Sequence, residues 1–145
     1  MTRTRRRADA EVGSATLELA ILAPAVLLLL GLVIVGGRIE IAGGAVEQAS
    51  AQAARAASLA RTPDAARQAA TETALATLTG QDLHCSHVDV SVDTSGFAVA
   101  VGNAAQVSAR VTCTLDLSAV GVPGLPGRRT LTAQTQSVLD RYRSR

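Results

Sequence analysis

The sequence predicts an α+β chain: a long N-terminal helix that spans a membrane and continues as an Ala-rich extension, then a second helix, both packed on a small antiparallel sheet. Three observations predict it. Residues 19–37 form one uncharged apolar run. From 38 to 80 the chain is rich in Ala at helical spacing. After Gly80 the apolar period becomes two. Helical segments followed by alternating segments give an α+β arrangement, with helices covering one face of the sheet.

Residues 1–13 read as a basic leader, with Arg3, Arg5, Arg6 and Arg7 against Asp9 and Glu11. Residues 14–37 read as a transmembrane helix. Its uncharged part, Leu19 to Gly37, has 19 residues, which as a helix extend about 28 Å, close to the bilayer hydrocarbon thickness. Pro24 frees one backbone carbonyl inside this run, which membrane helices tolerate. Four arginines precede the run and Arg38 alone closely follows it. The positive-inside rule therefore predicts a cytoplasmic N-terminus and an extracytoplasmic C-terminal domain. A secretory signal has the same order of basic, apolar and small residues, here ending at Ala42–Ala45. Its apolar core is usually shorter, about 7–15 residues. Release by ordinary signal peptidase, with a new start near Ala45, is the competing expectation.

Residues 38–80 read as an Ala-rich helical region. Ala42, Val46, Ala49, Ala53, Ala56 and Ala60 recur at 4-3-4-3-4 spacing, a one-face stripe that lets another helix or a sheet approach closely. Gly43 and Gly44 loosen the helix there, at about 1 kcal/mol each relative to Ala. "RTPD" at 61–64 breaks it. Thr62 is placed to cap a second helix, Pro63 suits a first helical position, and Gly80 closes it. Residues 81–140 form the predicted β domain. Val88, Val90 and Val92 alternate with Asp89, Ser91 and Asp93. Residues 107–117 give the clearest strand, 97–101 a short strand or loop, and 129–139 the last strand. "GVPGLPG" at 121–127 reads as a rigid connection. Residues 141–145 are a basic tail.

Composition argues against most chemistry. All 14 basic residues are Arg, Trp is absent, and one Phe and one Tyr are the aromatic residues. Ligand pockets usually draw on aromatic walls. Residues 14–145 carry ten Arg against ten acids, and no aromatic residue interleaves a basic patch, so nucleic-acid binding lacks support. GxSxG, P-loop and GxGxxG motifs do not occur. The reading is a non-enzyme without cofactor or metal.

Cys85 and Cys113 lie on the predicted outer side, where thiols oxidise. A bridge between them would close a loop of about 28 residues and contribute about 3.5 kcal/mol. Zinc binding by His84, Cys85, His87 and Cys113 is the weaker reading. Adjacent His84 and Cys85 would point to opposite faces of a strand, and the spacing matches no standard zinc motif.

Glu18 sits one residue before the uncharged run. Its simplest role is favourable placement near the positive end of a helix capped by Ser14. A fuller reading takes the whole string: a basic leader ending at Gly13, small Ser14, then Glu18 ahead of the apolar helix. This resembles the class III signal of type IV pilins and pseudopilins. More narrowly, "GSATLELAILAPAVLLLLGLVIVGGRIEIAGGAVEQASAQAARAAS" resembles TadE-like proteins of tight-adherence (Tad/Flp) pilus systems. The shared features are the Gly-Ser start, Glu18, Pro24, the Gly37–Arg38 ending and the Ala-rich extension.

The resemblance implies cleavage by a prepilin-type peptidase after Gly13, with Ser14 as the new N-terminus. Glu18 then becomes the fifth residue, which in pilins faces the terminal ammonium of a neighbouring subunit. A carboxylate within a membrane costs about 2.5–3.5 kcal/mol at the centre and less at the edge, so a cationic partner would offset it. Other pilins or pseudopilins of the same apparatus are the implied partners. The alternative is a membrane-tethered extracytoplasmic binding module that is neither processed nor assembled.

Overall fold

The computed structural model describes residues 5–117 and 127–142, with side chains from Glu18 onward. Helix α1 is Arg5–Leu59 and helix α2 is Pro63–Gly80. Strands β1 (His87–Asp93), β2 (Gln106–Asp116) and β3 (Arg128–Val138) follow. They form an antiparallel sheet in the order β1-β2-β3. The α+β expectation therefore holds, with both helices ahead of the sheet. The chain divides into two compact units, Met1–Ile39 and Glu40–Arg145.

In the second unit, helix α2 starts as its sequence directs. The Thr62 hydroxyl accepts the Ala65 N–H at 3.2 Å, and Pro63, lacking an N–H, occupies the first turn. Its end differs from expectation. Gly80 is still helical, and the left-handed residue is Asp82, at φ 54°. Aspartate tolerates that region better than most residues with a Cβ. The Leu83 N–H then returns to the Leu78 carbonyl at 3.1 Å.

The sheet's two faces follow from alternation. On β2, Val107, Ala109, Val111, Cys113 and Leu115 are buried, while Gln106, Arg110 and Asp116 are exposed. Val88, Val90 and Val92 of β1 and Leu131 and Ala133 of β3 extend the apolar face at half burial. Register is continuous across it: Val90 faces Val111, and Val111 faces Ala133. The same core contains Ala42, Val46, Ala49, Ala53, Ala54 and Ala57 of α1, and Ala66, Ala70, Ala74 and Leu78 of α2. Alanine dominates both helices, so backbones come close and each side chain removes little area from water.

The stripe on α1 is shifted from the expected one. Ala57 is fully buried, while Ala56 and Ala60 are half-buried. The buried set Ala42, Ala45, Val46, Ala49, Ser50, Ala53, Ala54 and Ala57 recurs at i, i+3 and i+4, so the packed face is wider than the single expected stripe and at its end is centred on Ala57. Polar groups are paired where they enter this core. Ser50, fully buried, donates to the Glu47 carbonyl at 2.8 Å and lies 2.7 Å from the Thr135 hydroxyl of β3. Arg67 of α2 binds Asp64 at 2.8 Å and Thr94 at 2.7 Å, tying α2 to the chain leaving β1.

Residues 97–101, expected as a strand or loop, include part of a 3-10 turn, Ser95–Ala98. Asp93 initiates it by accepting the Ser95 N–H at 2.9 Å. Gly96 is required there, because a Cβ would run into the Gln106 carbonyl. The segment expected as a rigid connection at 121–127 lies outside the described residues except for Gly127.

Candidate functional site

The candidate site residues fall in two places: the N-terminal part of α1, and the entry to the sheet. In the first unit the helix is continuous from Arg5 through Gly13, Ser14 and Glu18. Ser14 therefore lies inside the helix and does not begin it, contrary to the capping expectation. Glu18 is exposed on the helix. The helix also continues through Pro24 without interruption.

Beyond Glu18, eleven large apolar side chains between Leu19 and Ile34 are exposed, Leu27 and Leu28 at 68 % each. A core helix of a water-soluble protein would bury this surface, and contiguous apolar patches of such size on monomers mark interaction surfaces. In the most apolar window of Glu18–Leu59 the mean hydropathy is 2.8 and only 6 % of the residues are buried. Among the described residues this is the helix long and apolar enough to cross a membrane. On α1 the dense run of exposed large side chains ends at Ile34, with Ile41 and Leu59 single ones beyond it, and the small buried residues of the second unit begin at Ala42.

At the sheet entry, Cys85 and Cys113 are joined in a disulfide, with Cα atoms 5.5 Å apart. Cys113 lies in the buried face of β2, between Val88 and Leu131 in register, so the bridge clasps the segment entering β1 onto the central strand. Both sulfurs are committed to each other, which removes the thiolates that the zinc reading needed. His84 instead donates from Nδ1 to the Asp82 carbonyl at 3.1 Å, and His87 is exposed opposite Thr114. Among the described residues no group of three or more His, Cys, Asp or Glu side chains is placed to hold a metal.

Two features were not read from the sequence. The first is the Ser50–Thr135 contact, a buried polar pair between α1 and β3. A Ser at that position in an Ala-rich helix is the one available signal. The second is a polar groove of about 600 Å³ along β3, lined by Gly44, Glu47, Gln48 and Ala51 of α1 and by residues 132–135.

These features define a class: a chain with, among the described residues, one candidate membrane-spanning helix ahead of a small, disulfide-clasped α+β domain. The family model described as TadE-like protein matches residues 13–55. Over that stretch, which covers the apolar run and the first part of the extension, the chain is similar to TadE-like proteins, and the match begins at Gly13, where the leader was read to end. No curated protein and no solved structure matches the chain.

Proposed function

We propose that this chain is a pseudopilin-type structural or assembly component of a tight-adherence pilus apparatus, and not an enzyme. In this reading a prepilin-type peptidase cuts after Gly13 on the cytoplasmic side, and the helix stays in the bilayer with Ser14 at its start. Glu18 docks against the ammonium terminus of a neighbouring pilin or pseudopilin. The domain from Glu40 onward stands on the extracytoplasmic side, where the Cys85–Cys113 bridge is chemically at home. The observation that carries the proposal is the coincidence of the TadE-like match, starting at Gly13, with an exposed apolar helix directly after Glu18.

The reading is tested with Gly13 replaced by a bulky residue, Gly13→Leu, and with Glu18→Ala, each expressed beside the peptidase. The first is expected to keep its leader. The second is expected to be cut normally yet fail to co-purify with the other subunits. Normal cutting of Gly13→Leu would remove the cleavage assignment. Undiminished association of Glu18→Ala would remove the docking role.

A further inference from the structure

The two outer strands of the sheet end in opposite charge and unused backbone groups. Leu117 donates to the Gly127 carbonyl and Leu139 to the Ala105 carbonyl, each at 2.9 Å. These fix the parity of the β2–β3 ladder, because antiparallel pairs alternate between bonded and non-bonded. Odd-numbered residues of β3 bond to β2. The N–H and C=O groups of Thr130, Thr132, Gln134 and Gln136 therefore point outward. By the same alternation through β2, Val88, Val90 and Val92 of β1 point theirs outward. Among the described residues no other element takes up these groups.

Unpaired edges template pairing with another chain unless they are blunted by proline, bulges or inward charge. Strand β3 has eleven residues and no proline, and it is uncharged from Thr130 to Val138. It carries Arg128 and Arg129 and no acid, whereas β1 carries Asp89 and Asp93 and no arginine. The groove along β3 leaves space beside this edge.

We propose that the β3 edge receives the β1 edge of a second copy of this chain, extending the sheet head to tail. Three arguments select this occupant. First, the charges are complementary. Second, β1 and β3 both run antiparallel to β2, so they run parallel to each other. Copies joined β3-to-β1 then all face the same way. Third, the faces stay continuous. The exposed even-numbered residues of β3 lie opposite the exposed odd-numbered residues of β1, while their outward backbone groups meet those of Val88 and Val90. The register that pairs the charges sets Arg128 beside Asp89 of the partner subunit and Thr130 beside Ser91 of the partner subunit.

A two-fold β3-to-β3 pairing is disfavoured. Ser50 meets Thr135 and Ser58 meets Ser137, so α1 advances along β3 in the same direction. A two-fold axis would reverse the second α1, and the two chains would enter their domains at Glu40 from opposite ends. Two spans in one bilayer require the same end, a point that rests on the membrane-anchored reading.

The test uses the full chain in membranes. Ser91→Cys and Thr130→Cys copies are expressed separately and together, then treated with a short bifunctional thiol reagent. The native cysteines, bonded to each other, leave the introduced thiols to react. The co-expressed pair is expected to yield a cross-linked dimer that neither variant gives alone, and Asp89→Arg in the Ser91→Cys copy is expected to reduce it several-fold. A cross-link from Thr130→Cys alone would overturn the proposal in favour of the two-fold pair. No cross-link in any sample, with the Cys85–Cys113 bridge intact and both copies in the membrane fraction, would also overturn it. Alkaline carbonate extraction of the same samples reports separately on anchoring.

Discussion

The two halves of α1 share one secondary structure and obey opposite rules of burial. From Leu19 to Ile34 eleven of the side chains are large, branched and exposed. From Ala42 to Ala57 the side chains on one face are buried, and apart from Val46 they are Ala and Ser. Helix propensity does not separate the halves, since Leu and Ala are both strong formers. What separates them is solvent. Large apolar side chains all round a helix suit hydrocarbon, where no hydrophobic force drives them inward. Small ones on one stripe suit close packing in water, where a domain core must be built from backbone proximity. The first half identifies its surroundings and the second its neighbours.

The strongest way to break this contrast is to charge the first half. Leu28→Arg with Leu29→Arg costs about 2.5–3.5 kcal/mol per residue for insertion. The double variant is expected in the soluble or degraded fraction after carbonate extraction. Gln52→Arg, an exposed position in the second half, is expected to leave fractionation unchanged. Equal behaviour of the two would erase the distinction.

The second half depends on its clasp as well as its alanines. Replacing both Cys85 and Cys113 with Ala is expected to destabilise the domain by about 3.5 kcal/mol, the loop-closure value, read from the urea midpoint of unfolding. Membrane retention is expected to persist, because the span does not include the bridge.

A smaller effect sharpens the role of size. Ala53 is fully buried, so Ala53→Leu is expected to cost about 1–3 kcal/mol by overpacking. Leu27→Ala in the exposed half is expected to leave the thermal midpoint of the domain where it was. A stabilised Ala53→Leu variant would mean that the core has room.

The smallest effect concerns the domain alone. The Ser95 backbone N–H and hydroxyl hold the Asp93 carboxyl below the ordinary aspartate value. A depressed folded-state pKa contributes stability that is present above the unfolded value and is lost as pH falls through the folded one. Acid titration of the domain signals by NMR is expected to place Asp93 below a free aspartate, and Asp93→Asn is expected to flatten the acid limb of stability slightly.

Much of this was legible because period is physical. Val88–Val92 and Val107–Leu117 alternate strictly, and only a strand buries such a set on one face. The span was equally legible from Leu19 to Gly37. Less regular features were not. The 3-10 turn at Ser95–Ala98 depends on one Asp93 contact and the close approach of Gly96 to Gln106. The end of α2 moved past Gly80 because Asp82 accepted the left-handed conformation. Ala56 and Ala57 differ in burial because the packed face, wider than one stripe, follows Ala53 and Ala54 to Ala57. The free edges were hidden for another reason: alternation is the same in central and outer strands, and only the pairing order distinguishes them.

If the first half of α1 is the anchor, it remains in the mature protein. The N-terminal sequence of the chain recovered from the membrane fraction tests this most directly. A start at Ser14, with Glu18 as the fifth residue, is the predicted result. A start near Ala45, which would discard the whole apolar half, or an uncut Met1 in cells that hold the peptidase, would contradict it.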